Sequence, residues 1–363
     1  MKSLFSCLGL ICVAAIVLAE DSPKQGWSVA LPGYQITLPR DHFPHYQFRT
    51  EWWYFTGNLQ AEDGRVFGYQ LTFFRHGYRP PGIGQSVASR FVMNDVKFAH
   101  FALTEASAGK FHFDSRVSRG AYGEAGFADG NRLAWIDDWE LDFGNDFRLK
   151  AAAKDYAIDL ELTPEKPAVL QGANGLSQKA DGAGRASYYY SIPRLKTSGT
   201  VKIGAEICKV EGRSWFDREW ATNELAPEQS GWNWFAIQLS DGSDLMLYQM
   251  RLRHGGIDSH SNGKWIATDA ATTDLAVNEF QLNPEKYWMS PISKANYPIE
   301  WKLAIPKLNL DLEVTPAVEG QELDLAVVYW EGSIRVKGRR NGKPVDGVGY
   351  MELTGYKGET PGL

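Results

Sequence analysis

The stretch that decides the fold spans residues 51–75 and reads EWWYFTGNLQAEDGRVFGYQLTFFR. Two aromatic-rich runs flank an Asp-Gly dipeptide, which tolerates the positive φ values of a tight hairpin turn. Because side chains alternate along a strand, Glu51, Trp53 and Phe55 share one face of the first run. The stretch predicts an aromatic β-hairpin with one face lining a cavity and the other packing on a neighbouring domain.

A second copy of this hairpin begins at Gly231, in GWNWFAIQLSDGSDLMLYQMRLR. The match pairs Trp53 with Trp234 and Gln70 with Gln249, across about half of the chain. Internal repetition of this kind indicates two copies of one structural unit.

A later pair of segments matches in the same order. VEGRSWFDREW, from position 210, aligns with VDGVGYMELTGY, from position 345, so that Asp217 lies opposite Glu352 and Trp215 opposite Tyr350. The two matches predict an all-β protein with two tandem antiparallel β-barrels or sandwiches, over residues 20–224 and 225–363. Closed barrels remove sheet edges and can enclose one small ligand.

The first twenty residues, MKSLFSCLGLICVAAIVLAE, combine an early lysine, an apolar run and small residues before Glu20. This pattern predicts a signal peptide over residues 1–19, and thus an exported protein, periplasmic or secreted. An uncleaved anchor is the alternative, although the run is shorter than the roughly 20 residues of a membrane span. After cleavage, Cys208 alone remains, so no internal disulfide is expected.

Several classes of protein are disfavoured. The net charge is −6 and basic runs are lacking, so no nucleic-acid partner is expected. GRSWF lacks the second glycine of a G-x-S-x-G nucleophile motif, and no Gly-rich loop suggests a phosphate site. His42 and His45 are spaced as metal ligands could be, but a clear third ligand is missing. We predict neither a metal nor another cofactor.

Seven segments occur in order between about Pro39 and Tyr356: EWWYFTGNL, AHFALTE, FHFDSRVSRGA, GRSWFDREW, GWNWFAIQLSDG, YWEGSIRVKG and GYMELTGY. The set resembles the AttH-like, lipocalin-like secreted proteins, which are related to carotenoid 1,2-hydratase, or hydroxyneurosporene synthase. The resemblance implies a pair of calycin-type barrels and an apolar small-molecule ligand, either a lipid or an isoprenoid. It also implies a membrane permease as a partner.

Adding water to an unactivated alkene requires an acid that apolar surroundings keep protonated, with aromatic faces near the cation. SWFDREW supplies Trp215, Asp217 and Glu219 on one strand face. By resemblance to the carotenoid hydratases, Asp217 is the proton donor. Those enzymes also use an upstream His-x-Trp pair, whereas the corresponding SYYYSIPRLK contains Tyr190 and no histidine. This departure leaves acid-assisted chemistry on another lipid.

The predicted catalytic residues are therefore Asp217, His100 and Tyr190. A structural alternative for Asp217 is pairing with an arginine such as Arg75, and for His100 a hydrogen-bonded place in the core. The predicted ligand contacts are Glu51, Trp53, Phe55, Gln70, Arg75, Trp215, Glu219 and Trp234. Glu331 is a further candidate, and Glu352 is expected to be structural.

Two functions of different kinds follow. The first is a hydratase or hydrolase of a terpenoid, carotenoid or lipid-like substrate. The second is a binding or carrier protein without activity, accessory to a permease. Ionisable groups converging deep in the cavity favour the enzyme, and charges confined to its mouth favour the carrier. A two-barrel interaction module with filled cores is the third alternative.

Overall fold

The computed structural model describes residues 26–82, 92–223 and 225–358. This part of the chain forms two antiparallel sheets and four short 3₁₀ helices: Arg40–His42, Ala121–Gly123, Val277–Glu279 and Pro306–Leu308. The all-β prediction is confirmed. The predicted signal peptide lies outside the described residues, and none of the described helices has the length and hydropathy needed to cross a membrane.

The first sheet contains, within the described ranges, β1 (Thr50–Ala61), β2 (Val66–Gly77), β3 (Asp95–Glu105), β4 (Lys110–Ser118), β5 (Ala125–Phe127), β6 (Arg132–Ile136), β7 (Trp139–Phe143), β8 (Phe147–Ala152), β9 (Tyr156–Pro164), β10 (Val169–Leu170), β11 (Leu176–Gln178), β12 (Ala186–Ile203) and β13 (Glu206–Ala221). Their spatial order is β4-β3-β2-β1-β13-β12-β9-β8-β7-β6-β5, with β10 and β11 also pairing with β12. The sheet curls until its ends meet, where Arg116 of β4 donates a hydrogen bond to the Ile136 carbonyl of β6 at 3.1 Å. It is a nearly closed barrel.

The second sheet begins after a connection from Ala221 to Gln229 and contains β14 (Gln229–Leu239), β15 (Asp244–Leu252), β16 (Asn262–Ile266), β17 (Thr272–Ala276), β18 (Gln281–Met289), β19 (Asn296–Ile305), β20 (Leu310–Pro316), β21 (Glu322–Asp324), β22 (Val328–Arg340) and β23 (Lys343–Leu353). Its order is β17-β16-β15-β14-β23-β22-β20-β19-β18, with β21 added on β22. Both sheets are curled, so the tandem, barrel-like calycin architecture is confirmed.

Side chains fill the concave side of each sheet. Trp53 and Phe55 belong to the first core, together with Trp139. Phe235 and Trp330 belong to a separate second core. Because rings occupy both interiors, the space for a ligand has to lie elsewhere.

The two sheets pack against each other through their outer faces. A third apolar cluster lies between them and includes Tyr54, Tyr189 and Trp234. The approach is close, since a Cβ atom on Gly68 of β2 would lie 2.6 Å from the Ser333 Cβ of β22. Glycine at position 68 therefore permits the contact that brings the sheets together.

Polar contacts border this interface. Asn58 donates a hydrogen bond to the Gly349 carbonyl at 3.1 Å, and Gln238 donates one to the Pro193 carbonyl at 2.8 Å. Arg194 of the first sheet pairs with Asp244 of the second at 2.7 Å. These bonds join strands far apart in sequence and stabilise one relative placement of the sheets.

The structure corrects the alignment of the two hairpins, by one residue in the first strand and by three in the second, since the pair Tyr54–Thr72 is matched by the pair Trp234–Tyr248. Trp53 faces the first core, whereas Trp234 faces the interface, where its ring meets that of Tyr54 at 5.3 Å. A shift of one residue along a strand moves a side chain to the other face. The second match keeps its predicted register, because Asp217 and Glu352 both face the interface.

Candidate active site

A cavity of about 310 Å³ lies between the outer faces of the two sheets. Small-molecule sites typically start at about this size. Aromatic side chains make up much of its wall: Trp52, Tyr54, Phe74, Phe98, Trp232 and Trp234. Four carboxyl groups of the described residues also line it: Asp217, Glu219, Glu331 and Glu352. The cavity thus combines an apolar wall with ionisable groups.

One row of directly paired residues crosses the first sheet at the cavity. His100 pairs with Thr72, Thr72 with Tyr54, and Tyr54 with Asp217. Cross-strand partners point to the same side of a sheet, which is why residues from four strands meet on this wall. The row continues to Ser191 of β12.

A matching row crosses the second sheet. Glu331 pairs with Glu352, Glu352 with Trp234, and Trp234 with Tyr248. The rows meet where the Tyr54 hydroxyl donates a hydrogen bond to Glu331 Oε1 at 2.6 Å. Each sheet therefore contributes one row of paired residues to the site, and neither sheet forms the site alone.

Asp217 lies where these rows meet and is 4% exposed. Its Oδ2 accepts a hydrogen bond from the Tyr189 hydroxyl at 2.6 Å, and its Oδ1 accepts bonds from Ser191 Oγ at 2.5 Å and Trp215 Nε1 at 2.6 Å. Burial raises the pKa of Asp217 to about 7, although these three donors oppose that rise. All three partners are uncharged, so the arginine pairing is not the arrangement found.

Glu331 and Glu352 are cross-strand partners on the second sheet, and both line the cavity with Asp217. Burial raises the pKa of Glu331 well above its ordinary value, and the neighbouring Glu352 raises it further. Burial likewise raises the pKa of Glu352 to about 7, with a hydrogen bond from Trp232 opposing the rise. Like charges this close repel, so a proton on one carboxyl stabilises the pair.

Glu219 lies on the same face of β13 as Asp217, near one end of the cavity. It accepts a hydrogen bond from Ser187 and pairs with Lys179, whose Nζ lies 2.9 Å from Oε1. The Lys179 ammonium also lies 4.7 Å from the centre of the Tyr248 ring. Within the described part of the chain, Glu219 thus has a cationic partner and Asp217 has none.

His100 lies at the opposite end of the row. Its Nδ1 is 2.8 Å from the Tyr329 hydroxyl, and its ring lies 5.1 Å from that of Phe74. Burial lowers the pKa of His100 to about 4, so the imidazole is neutral at physiological pH and is a weak base. The geometry suits a polar anchor in the wall.

Four of the predicted ligand contacts lie away from the cavity, and we correct their placement. Glu51, Trp53, Phe55 and Arg75 point into the first barrel. Arg75 donates a hydrogen bond from Nε to Glu51 Oε1 at 2.5 Å, and Arg218 pairs with the other carboxylate oxygen. These cations hold the pKa of Glu51 well below its ordinary value despite its burial. This is a buried ion network in the wall of the barrel.

Tyr190 is also placed away from Asp217. Its hydroxyl bonds with His42 Nδ1 at 2.6 Å on the barrel side of β12. Tyr189, one residue earlier, faces the cavity in its place. Alternation along the strand explains the exchange, since adjacent residues point to opposite sides.

The remaining predicted residues gather at the interface. Gln70, Glu219 and Trp234 line the cavity together with Asp217 and His100, whereas Trp215 lies behind Asp217 and donates a hydrogen bond to it. Sequence reasoning missed several lining residues: Trp52, Tyr54, Lys179, Tyr189, Trp232, Tyr248, Tyr329 and Glu352. The signal for Glu352 was its alignment with Asp217, and for Tyr54 its alternation with Trp53. No group of three or more His, Cys, Asp or Glu side chains in the described part is placed to hold a metal ion.

The AttH-like family profile matches residues 29–356. The chain belongs to the AttH-like family. This confirms the resemblance drawn from the ordered motifs. A comparison of this AttH-like chain with curated proteins finds no match.

Solved structures share this fold over nearly the whole chain. A protein assigned as AttH from Nitrosomonas europaea is 34% identical, with a TM-score of 0.81, covering 91% of this AttH-like chain and 99% of its own. Kievitone hydratase from Nectria haematococca is 15% identical, with a TM-score of 0.69. The match covers 91% of this chain and 96% of the kievitone hydratase chain. CghA, in a structure with Sch210972, is 12% identical, with a TM-score of 0.55. The match covers 94% of this chain and 97% of the CghA chain. At these last two identities the likeness is one of fold.

Proposed function

We propose that this protein is a hydratase-type enzyme that adds water to a double bond of a largely apolar substrate in the cavity between the sheets. The observation that carries the proposal is Asp217, a buried carboxyl group facing aromatic rings, with no cationic partner among the described residues and with a pKa raised to about 7. Such a group can hold a proton at neutral pH and release it within the site, as a general acid must.

Asp217 would deliver its proton to one alkene carbon, leaving a cation on the other. The rings of Tyr54 and Trp234, which meet edge to face at 5.3 Å, lie beside this position and would stabilise the positive charge. Trp234 Nε1 lies 3.3 Å from the Tyr189 hydroxyl, which in turn bonds to Asp217. These contacts hold the acid in one orientation.

Water would then attack the cation, and the proton it loses needs an acceptor. Glu352 lies on the opposite wall from Asp217, and the charge of Asp217 contributes to its raised pKa. Coupled carboxyls of this kind favour one proton shared between them, so that one is an acid while the other is a base. Overall, one water molecule is added, and proton return from Glu352 to Asp217 restores the enzyme.

Two comparisons support this proposal. Kievitone hydratase shares the fold and is by name a hydratase, and the CghA structure contains Sch210972, so the fold occurs with small organic molecules. A lipid- or isoprenoid-like substrate and export through the signal peptide of residues 1–19 are parts of the proposal, as is an accessory relation to a permease. The carrier alternative receives less support, because the ionisable groups converge inside the cavity.

The test uses the purified protein incubated with a lipid extract in heavy-oxygen water. Mass spectrometry should detect a hydrated product carrying the heavy oxygen. Asp217→Asn should reduce its formation by about 10²–10⁴-fold, the usual contribution of a general acid. Asp114→Asn, on the exposed part of β4, is the matched control and should leave it unchanged. A retained ligand that never takes up the label would contradict the proposal and favour a carrier.

A further inference from the structure

Two buried side-chain oxygen atoms on the cavity wall have no hydrogen-bond partner among the described residues. They are Gln70 Oε1 and Glu331 Oε2, on side chains that are each 1% exposed. Both residues line the cavity. Buried acceptors are rarely left without a donor, because desolvation then goes uncompensated. The proposed acid–base reaction does not explain why these two oxygen atoms lack a hydrogen-bond partner.

The other end of each side chain is held in place. Gln70 donates from Nε2 to Thr72 Oγ1 at 2.5 Å. The Tyr54 hydroxyl donates to Glu331 Oε1 at 2.6 Å. Each group is thus oriented by one bond, and its remaining polar atom, Gln70 Oε1 or Glu331 Oε2, is left available to a ligand.

The two residues come from different sheets but lie at the same level of the interface. Two residues before Gln70, Gly68 lies against Ser333, which is two residues after Glu331. Two residues after Gln70, Thr72 pairs with His100, which bonds to Tyr329, two residues before Glu331. Contacts on both sides of the pair bring the two free oxygens toward the same end of the cavity.

We propose that the substrate carries a hydroxyl group that donates a hydrogen bond to Gln70 Oε1 and forms a second hydrogen bond with Glu331 Oε2. This inference rests on the proposed function for its site and narrows the substrate class. The substrate is then a hydroxylated unsaturated compound and not a pure hydrocarbon. A site built around buried polar groups discriminates strongly against analogues that lack the matching donor.

The test compares two probes of one shape, 2-naphthol and 2-methoxynaphthalene, by isothermal titration calorimetry. The wild-type protein should bind 2-naphthol at least about tenfold more tightly than the ether, a difference of about 1.4 kcal/mol. Gln70→Met keeps the side-chain length but removes the acceptor, and should reduce the preference to below about threefold. Glu331→Met is the second variant; it removes both oxygens and should weaken the binding of 2-naphthol.

Gln249→Met is the matched control, since it makes the same change at a buried glutamine that does not line the cavity. It should keep the full preference for 2-naphthol. If the wild-type protein binds the two probes equally, or binds the ether more tightly, the inference is wrong. It is also wrong if Gln70→Met retains the wild-type preference and Glu331→Met binds 2-naphthol as tightly as the wild type.

The two proposals can fail separately. Asp217→Asn should lose incorporation of heavy oxygen but keep the preference for 2-naphthol. A protein that forms the labelled product in an Asp217-dependent way without preferring 2-naphthol has the proposed function but not this specificity. A protein that prefers 2-naphthol through Gln70 and forms no labelled product has the donor site but not the activity.

Discussion

Glu51 and Asp217 are buried carboxyl groups on neighbouring strands, yet they lie on opposite faces of the first sheet. Glu51 on β1 faces the filled barrel, between Arg75 and Arg218. Asp217 on β13 faces the cavity, with only uncharged hydrogen-bond donors around it. Burial acts on both in the same direction, but the pKa of Glu51 is lowered and that of Asp217 is raised. The cationic partners make the difference.

This comparison separates a structural carboxylate from a reactive carboxyl group. Two guanidinium groups keep Glu51 ionised, and its remaining lone pairs accept backbone bonds such as the one from the His45 N–H at 2.9 Å. Asp217 receives no such charge compensation from the residues that the structure describes, and its raised pKa allows it to exchange a proton near neutral pH. A buried acid near aromatic rings is thus informative only once its partners are known.

The largest effect that tests this comparison is on stability. Glu51→Gln should lower the free energy of unfolding by about 3–5 kcal/mol at pH 7.5, because it leaves Arg75 and Arg218 buried without their counter-charge. Urea denaturation followed by tryptophan fluorescence measures this. Asp217→Asn is the control and should lose far less. Equal losses would show that the two carboxyls play the same part.

A second test uses the pH dependence of stability. The pKa of Asp217 is raised to about 7, so its contribution to stability is complete below about pH 4 and is lost as the pH rises toward 7. Between pH 4 and 8, the stability of the wild type should fall by roughly 2–4 kcal/mol relative to Asp217→Asn, at about 1.4 kcal/mol for each pKa unit.

Glu51→Gln should show the opposite trend once the same measurement is extended to pH values below about 4.5, the ordinary pKa of this side chain. The lowered pKa of Glu51 means that its contribution is present above its ordinary pKa and is lost as the pH falls through the lower, folded value. Denaturation midpoints at matched pH values follow both variants. A difference between wild type and Asp217→Asn that does not change with pH would contradict the raised pKa.

The smallest effect compares two tyrosines on the two faces. Tyr54→Phe removes the bond to Glu331 in the cavity, and Tyr190→Phe removes the bond to His42 in the barrel. Each should cost about 1 kcal/mol of stability. Calorimetry should show weaker binding of 2-naphthol for Tyr54→Phe alone. If Tyr190→Phe weakens binding equally, the two faces are not independent.

Much of the fold could be predicted from local pattern. The period-two alternation and the Asp-Gly turn of residues 51–75 indicate a hairpin wherever it packs. The second copy of this hairpin pattern, which begins at Gly231, indicates a second sheet. The aligned pair Asp217 and Glu352 was placed correctly relative to the strands, since both lie in runs whose register the repeat itself supplies.

The site could be predicted only in part, because alternation identifies two faces without saying which is interior. The alternation predicts that Glu51, Trp53 and Phe55 line a cavity together. They do share one face, but it is the face of the filled barrel. Tyr189 and Tyr190 differ by one position, and packing alone decided which meets Asp217.

The amino-acid sequence by itself determined the strands, the repetition of a curled sheet and the presence of an acid among aromatic rings, since these depend on neighbours in the chain. The tertiary structure decided which acids are neutralised and which line a cavity. Arg218 reaches Glu51 across 167 positions, and Tyr54 reaches Glu331 across 277. Charge compensation acts over a few ångströms in space, and a linear pattern does not encode which distant groups come that close.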